Sequence, residues 1–376
     1  MKRILHVVGA MPRAGAESMV MNLYRVIDKT QYQFDFVYFT DKTCDFDDEI
    51  IALGGKIYRI PDKYSNKALA RTYQLYRLIK NNKPFHAVHA HQLFSNAFHL
   101  LAAYFAGIDM RIAHSHNTSD ANSKSLFGRL YQNFSRKLIR LVTTNYIACG
   151  DLAGKYLFPK SKNIVFIPNA VDIHKFLDVK SKRAHTFFKN ESITKNTIIL
   201  SQIGRLMPVK NVEFSIDFMS FLKQKNIDFH FFIVGQGKLQ SKLENLVAQN
   251  NLTDHITFLG VRSDIDLILG HTDVLLMPSF HEGFPVILVE SQTAGVPALI
   301  SDAISKEVDL GLNLINFQAL KANFETWEIA LQDILNKSEC YDNSKRHHVL
   351  KEKGFDIEVS VKTLENIYNK KNTSNE

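Results

Sequence analysis

The chain is poor in residues that would tie it down covalently or seat it in a bilayer. Its three cysteines, Cys44, Cys149 and Cys340, are far apart and show no CxxC or zinc spacing. That excludes a disulfide framework and a thiolate metal site, and predicts reduced, structural thiols. No run approaches the roughly 18 to 20 apolar residues of a membrane-spanning helix. Met1-Lys2-Arg3 before Ile4–Val8 mimics a signal peptide, but His6 and then Pro12-Arg13 cut the apolar region short, so a cytoplasmic protein is expected. There is no low-complexity tract and no short-period repeat. G-x-G-x-x-G and the Walker pattern are both missing, so NAD and ATP sites gain no support.

What is present fits a soluble α/β protein of two domains. The 376 residues exceed one ordinary core, with 45% hydrophobic and 22% charged residues. A formal charge of +8 favours anionic partners: phosphorylated substrates, anionic lipid or nucleic acid. Nucleic acid is the weakest of these, because the basic residues are scattered and no recognition motif appears.

Short β-rich runs alternate with helical segments: Arg3–Val8, Phe34–Phe39, Ile57–Ile60, Ala87–Ala90, Arg111–Ser115, Tyr146–Ala148 and Ile164–Ile167. The alternation restarts at Ile198–Ile203, Phe229–Val234, Ile256–Phe258, Val274–Met277 and Ala298–Ile300. Near-continuous apolar runs of this length are parallel strands covered on both faces, so two doubly wound halves are expected. Pro168–Asp172 and the polar stretch Asp178–Asn196 make the expected hinge.

Several constellations at strand ends carry chemistry. The loop Gly9–Glu17, with a helix expected from about Ser18, could cradle phosphate, or be only a tight connection. His86, His89 and His91 in one strand and His114 and His116 in the next share faces two by two. An HxH pair can hold zinc or nickel, but no carboxylate follows to complete a hydrolytic centre. A substrate-contact or acid/base role is therefore preferred over metal, with packing as the plain alternative. Segment 125–146 reads as a helix with Arg129, Arg136, Lys137 and Arg140 opposite Phe127, Leu130, Phe134, Leu138 and Leu141. It is either an ordinary surface helix or one drawn to an anionic membrane.

In the second half, Gly204-Arg205-Leu206 closes a strand and Lys210 opens the next helix, two cations suited to a diphosphate. The turns at Gly235 and at Gly260-Val261-Arg262 could accommodate a base or ribose. The stretch Ser279–Glu290 reads as strand, tight loop and helix opening, with Gly283 allowing close approach and Pro285 in the first helical turn. Glu282 and Glu290 frame it. Eight residues of helix rise about 12 Å, too far for a glycosidase pair, whose carboxylates stand roughly 5 to 9.5 Å apart. Two grips on the two ends of one polyhydroxylated ligand is the better use; a capping acid plus a solvent-facing helical Glu is the plain one.

In this order, Gly15-Ala16-Glu17, His116, Pro168–Asp172, Gly204-Arg205-Leu206 with Lys210-Asn211, Val234–Gly237, Phe258–Gly260 and Glu282-x7-Glu290 resemble the retaining glycosyltransferases of family-4 type. The resemblance spans nearly the whole chain. It implies the GT-B fold: two Rossmann-like domains facing a cleft, residues 1–172 on the acceptor side and 173–355 on the donor side, with 356–376 supplying a helix that crosses back to the first domain. It implies a nucleotide-diphosphate sugar, in the first instance a UDP-sugar, as donor, a lipid-linked or saccharide acceptor, and no metal or other cofactor. Arg205 and Lys210 would neutralise the diphosphate. Glu282 with the Gly283, Phe284 and Pro285 backbone would hold the sugar, and Glu290 the ribose. Gly15, Gly235 and Arg262 would line the donor site. His116 would face the reacting centre, with His114 as its possible substitute. The likeness points to polysaccharide biosynthesis at the inner face of a membrane. Other readings are a nucleotide-sugar epimerase or hydrolase of the same fold and a metal-dependent hydrolase built on the histidine pairs.

Overall fold

The computed structural model describes residues 1–13, 15–64, 67–117, 125–161, 163–179, 187–188, 193–337 and 342–370. It divides into two compact units, Met1–Ala170 with Ile357–Glu376, and Val171–Asp356. Much of the expected hinge at 178–196 lies outside the described residues.

The first unit is built on seven parallel strands: β1 (Lys2–Val7), β2 (Tyr32–Tyr38), β3 (Ile57–Arg59), β4 (Ala87–Ala90), β5 (Met110–Ser115), β6 (Asn145–Ala148) and β7 (Ile164–Phe166). Their order is β3-β2-β1-β4-β5-β6-β7. The chain winds outward one way from β1, then starts again at β4 on its other side, so the switch point lies between β1 and β4. The central strands are apolar on both faces because helices cover both. Ile4 packs into one core with Phe34 and Phe36, while Leu5 and Val7 pack into another with Val88 and Ala90.

The last helix, Ile357–Asn369, belongs to this unit although the second unit precedes it in sequence. It buries Ile357, Val361, Leu364, Ile367 and Tyr368, the three-to-four spacing of one helical face, against Met21, Tyr24 and Phe34. Lys2 Nζ donates to the Tyr368 carbonyl at 3.1 Å and to Asn369 Oδ1 at 2.6 Å, tying its end to the first strand.

The second unit repeats the plan with six parallel strands: β8 (Ile198–Ile203), β9 (Phe229–Val234), β10 (Ile256–Gly260), β11 (Val274–Met277), β12 (Ala298–Ser301) and β13 (Ile315–Gln318), ordered β10-β9-β8-β11-β12-β13. Its switch point lies between β8 and β11. Strand β13 escapes the sequence reading because Ile315-Asn316-Phe317-Gln318 alternates and is an edge strand, without the continuous apolar signal of its neighbours.

Two boundaries also move. The helix expected over 125–146 spans Leu126–Val142 and stops where Thr143 turns extended before β6. Its N-cap is Ser125, whose hydroxyl accepts from the Gly128 amide at 2.9 Å. The first helix starts at Gly15 rather than Ser18, so Gly15 is a helical residue rather than a loop residue.

Candidate functional site

At the second unit's switch point two loops are pinned together. After β8, Gly204 and Arg205 lead into a short 3₁₀ turn, Pro208–Lys210, ended by Asn211 in the left-handed conformation at φ 52°. Asn tolerates that conformation better than most residues, and its Nδ2 donates to the Pro278 carbonyl at 3.0 Å. The Phe280 amide donates to the Val209 carbonyl at 2.9 Å, and Gln202 Nε2 to the Lys210 carbonyl at 2.8 Å. From the β12 side, Ser301 Oγ holds the Ser279 carbonyl at 2.5 Å. These bonds set Lys210 against Glu282, Nζ to Oε1 at 2.6 Å, both side chains mostly covered. Glu282 is also fixed through its backbone, by a bridge to Ile304. The expected diphosphate cation and sugar-binding carboxylate thus form one ion pair. Arg205 stands exposed beside them, its guanidinium with no hydrogen bond or ion pair among the described residues.

Gly235 has φ +126°, and a Cβ there would run into the Gly204 carbonyl oxygen. The turn after β9 thus packs backbone to backbone on the turn after β8, and its glycine serves that approach directly. Arg262 forms a two-pronged pair with Asp264, at 2.8 and 2.6 Å. The Phe284 ring stacks on Phe355, centroids 5.3 Å apart.

Pro285 sits at the N-cap of the helix Val286–Ala294, one position before the first turn where it is expected. The amides of Val286 and Ile287 open that helix and have no intrahelical carbonyl to reach. Glu290 lies one turn further in. Burial pushes its carboxyl up to about 7, with Lys175 pulling it down and Asp266 pushing it up. Lys175 and Asp266 pair with each other at 3.0 Å. Neither stands out in sequence, since both are isolated charges in unremarked helices.

The first unit's switch point holds something different. His6 on β1 joins His89 and His91 from β4 and His114 and His116 from β5 in one cluster. His6 Nδ1 meets His91 Nε2 at 3.0 Å, and His91 Nδ1 meets His116 Nε2 at 2.9 Å. His89 Nε2 meets His114 Nδ1 at 3.2 Å, and His89 Nδ1 meets the Tyr368 hydroxyl at 3.0 Å. Burial holds all five well below the ordinary imidazole range, His116 down to about 4, so they are neutral. His6, His89 and His114 are fully buried, whereas His91 and His116 are partly open. That separates His116 from His114 as the residue able to meet a substrate. His86 stands apart, bonded to the Tyr368 carbonyl at 2.8 Å. The sequence reading missed His6 and Tyr368, because β1 and the final helix are remote in the chain and only the topology unites them.

The helix Leu126–Val142 has an unusual division of faces. It buries Gln132, Ser135, Ile139 and Val142. Phe127 is 84% exposed and Leu141 78%, and Leu126, Leu130 and Phe134 are exposed with them. Of its cations, Arg136 is held by the Tyr156 carbonyl at 3.0 Å and lies over the Phe94 ring. Lys137, Arg136 and Arg140 line a cavity of about 320 Å³ with Lys160 and Ser161. No helix among the described residues is long and apolar enough to cross a membrane.

Comparison with known proteins places these features. Residues 13–175 match the Glycosyltransferase Family 4 domain and residues 183–310 the Glycosyl transferases group 1 domain. EpsF of Bacillus subtilis (strain 168), a glycosyltransferase by name, is 36% identical over 98% of this chain and 96% of its own. The Escherichia coli UDP-Gal:alpha-D-GlcNAc-diphosphoundecaprenol alpha-1,3-galactosyltransferase is 28% identical over 63% of this chain and 62% of its own. Among solved structures, Anabaena Alr3699/HepE in complex with UDP-glucose superposes with a TM-score of 0.74 at 16% identity, covering 97% of this chain and 99% of that one. WaaG, a glycosyltransferase involved in lipopolysaccharide biosynthesis, gives 0.71 at 15%, covering 98% and 100%. The two Rossmann-like sheets are those of the GT-B fold.

Proposed function

The chain belongs to the group 1, family 4 glycosyltransferases, and from that premise we propose that it moves a sugar from a UDP-sugar to a lipid-linked acceptor at an anionic membrane surface, with retention at the anomeric carbon, in polysaccharide biosynthesis. The observation that carries this reading is the Lys210–Glu282 pair beside the unpaired Arg205, at the switch point where a doubly wound sheet takes its ligand. The donor diphosphate takes Lys210 from Glu282 and adds Arg205, and Glu282 is left to accept hydroxyl hydrogen bonds from the sugar. Glu290 accepts from the ribose.

In the reaction the bond between the anomeric carbon and the diphosphate oxygen breaks, and both electrons leave with the diphosphate. Arg205, Lys210 and the opening amides of the Val286–Ala294 helix stabilise the charge that develops there, which is work a metal ion would otherwise do. The acceptor oxygen bonds to the same face of the anomeric carbon and passes its proton to the departing phosphate oxygen. Neutral His116 orients the acceptor hydroxyl; a group held down to about 4 is a poor proton store at neutral pH. The lipid-linked acceptor is supported by the printed activity of the E. coli relative. The uncovered Phe127, Leu130, Phe134 and Leu141, with Arg129, Lys137 and Arg140 along their edge, suit insertion of one helix face at headgroup depth.

The test is transfer of labelled sugar from a panel of UDP-sugars to undecaprenyl-diphosphate-linked acceptors. Labelled product only when donor and acceptor are both present supports the proposal. Conversion of donor alone at the same rate points to an epimerase or hydrolase instead.

A further inference from the structure

The histidine cluster carries more than one substrate contact requires. Three of its ring nitrogens, His6 Nε2, His114 Nε2 and His116 Nδ1, are buried without any hydrogen-bond partner among the described residues. A buried polar atom left unpaired loses its hydration with nothing in return, and here three lie in one cluster. One nitrogen from each of His91, His114 and His116 lies within 4.8 Å of the other two. We propose that His91, His114 and His116 bind a single borderline divalent cation of the zinc, cobalt or nickel class, and that the ion silences the enzyme by taking His116 away from the acceptor.

The chemistry of the donor set supports this. Neutral imidazole is the ligand these ions favour, and an all-nitrogen set disfavours magnesium and calcium. Two ligand nitrogens on tetrahedral zinc stand about 3.3 Å apart, given zinc–nitrogen bonds of about 2.0–2.1 Å. The His91–His116 pair, at 2.9 Å, is already close to that edge. No proton has to leave. One has only to move: the proton shared by His91 Nδ1 and His116 Nε2 in the ion-free cluster shifts to the far nitrogen of its ring, so that with the ion bound His91 carries N–H on Nε2, directed at His6, His114 on Nδ1, directed at His89 and through it at Tyr368, and His116 on Nδ1. The other rings then act as the outer layer that fixes ligand tautomer and orientation in metal sites. The alternative trio His6, His89 and His91 is less accessible, since His6 and His89 are both 1% exposed. Because His91 and His116 are partly open, an ion can enter and leave, as a regulatory site requires.

Binding is measured on the full chain with no substrate, so it stands or falls apart from the transferase reading; only the inhibition rests on that reading. After chelator treatment, calorimetry with Zn²⁺ should give one site per chain, weakened at least tenfold in His91→Gln and in His114→Gln and unchanged in His348→Ala, an exposed-histidine control. Co²⁺ should give the intense visible absorption of a low-symmetry nitrogen site, and Cu²⁺ should show coupling to three nitrogens by electron paramagnetic resonance. Both spectra need no variant, so a misfolded mutant cannot hide the answer. In the transfer assay Zn²⁺ should inhibit and chelator should restore turnover. Absence of a stoichiometric site, or equal affinity in His91→Gln and His114→Gln that retain the wild-type thermal midpoint, would overturn the proposal. Binding without inhibition would remove the silencing and leave the site.

Discussion

The two units share one topology and place opposite chemistries at the same point of it. Between β8 and β11 the chain sets full charges, Lys210 against Glu282 with Arg205 beside them. Between β1 and β4 it sets five neutral imidazoles. In the proposed reaction the difference follows from what each sheet edge would meet. A diphosphate gains charge as the sugar leaves and calls for fixed cations. An acceptor hydroxyl is neutral and calls for an oriented, uncharged partner. A doubly wound sheet thus dictates where a ligand goes, and the residues just past the strand ends dictate which ligand.

This contrast can be broken from the charged side first. Arg205→Ala with Lys210→Ala should lower turnover by about a thousandfold or more, since removing one such group costs roughly 10²–10³. The thermal midpoint should hold, because neither side chain is in the core; full turnover in the double variant would discard the clamp. On the neutral side, His116→Ala should lower kcat by on the order of a hundredfold, the scale of a lost positioning group. UDP affinity, read by calorimetry, should not move, and a comparable loss there would place His116 on the donor.

Glu290 sharpens the comparison through pH. Its carboxyl in the free protein sits at about 7, raised mainly by burial. Because the folded value exceeds the unfolded one, its contribution to stability is fully present below about pH 4.5 and fades as pH rises through 7. If Glu290 grips the ribose as proposed, the ribose hydroxyls donate to the ionised form, so UDP binding should release a proton. Affinity should rise about tenfold from pH 6 to pH 8, as one group at about 7 requires, and should stay flat in Glu290→Gln. The smallest effect is expected at the helix Leu126–Val142. Neutralising Arg129, Lys137 and Arg140 together should reduce flotation with anionic vesicles by a few kcal/mol, at about 1 kcal/mol per charge. Replacing Phe127 and Leu141 by serine should weaken flotation even with neutral vesicles.

Much of this was legible in the chain because it is local. Twelve of the thirteen strands among the described residues announce themselves as short β-rich runs, and Arg205, Lys210, Glu282 and Glu290 lie within a few residues of strand or helix ends. What stayed hidden depends on contacts between distant segments. The Lys210–Glu282 pair needs Asn211, Gln202 and Ser301 to bring two loops together. His6 and Tyr368 enter the cluster only because β1 and the last helix pack beside β4. Helix Leu126–Val142 is amphipathic in sequence, but which part of its apolar face is covered depends on what packs on it. There the protein covers Ile139 and Val142 and leaves Phe127 and Leu141 bare.

The most direct measurement is calorimetric titration of wild type and the Arg205→Ala/Lys210→Ala variant with UDP and with uridine. Wild type should bind UDP at least a hundredfold more tightly than uridine, and the variant should discriminate by less than about tenfold, the loss of two charge-assisted contacts. Undiminished preference for UDP in the variant would contradict the assignment of the second unit's switch point to the donor diphosphate.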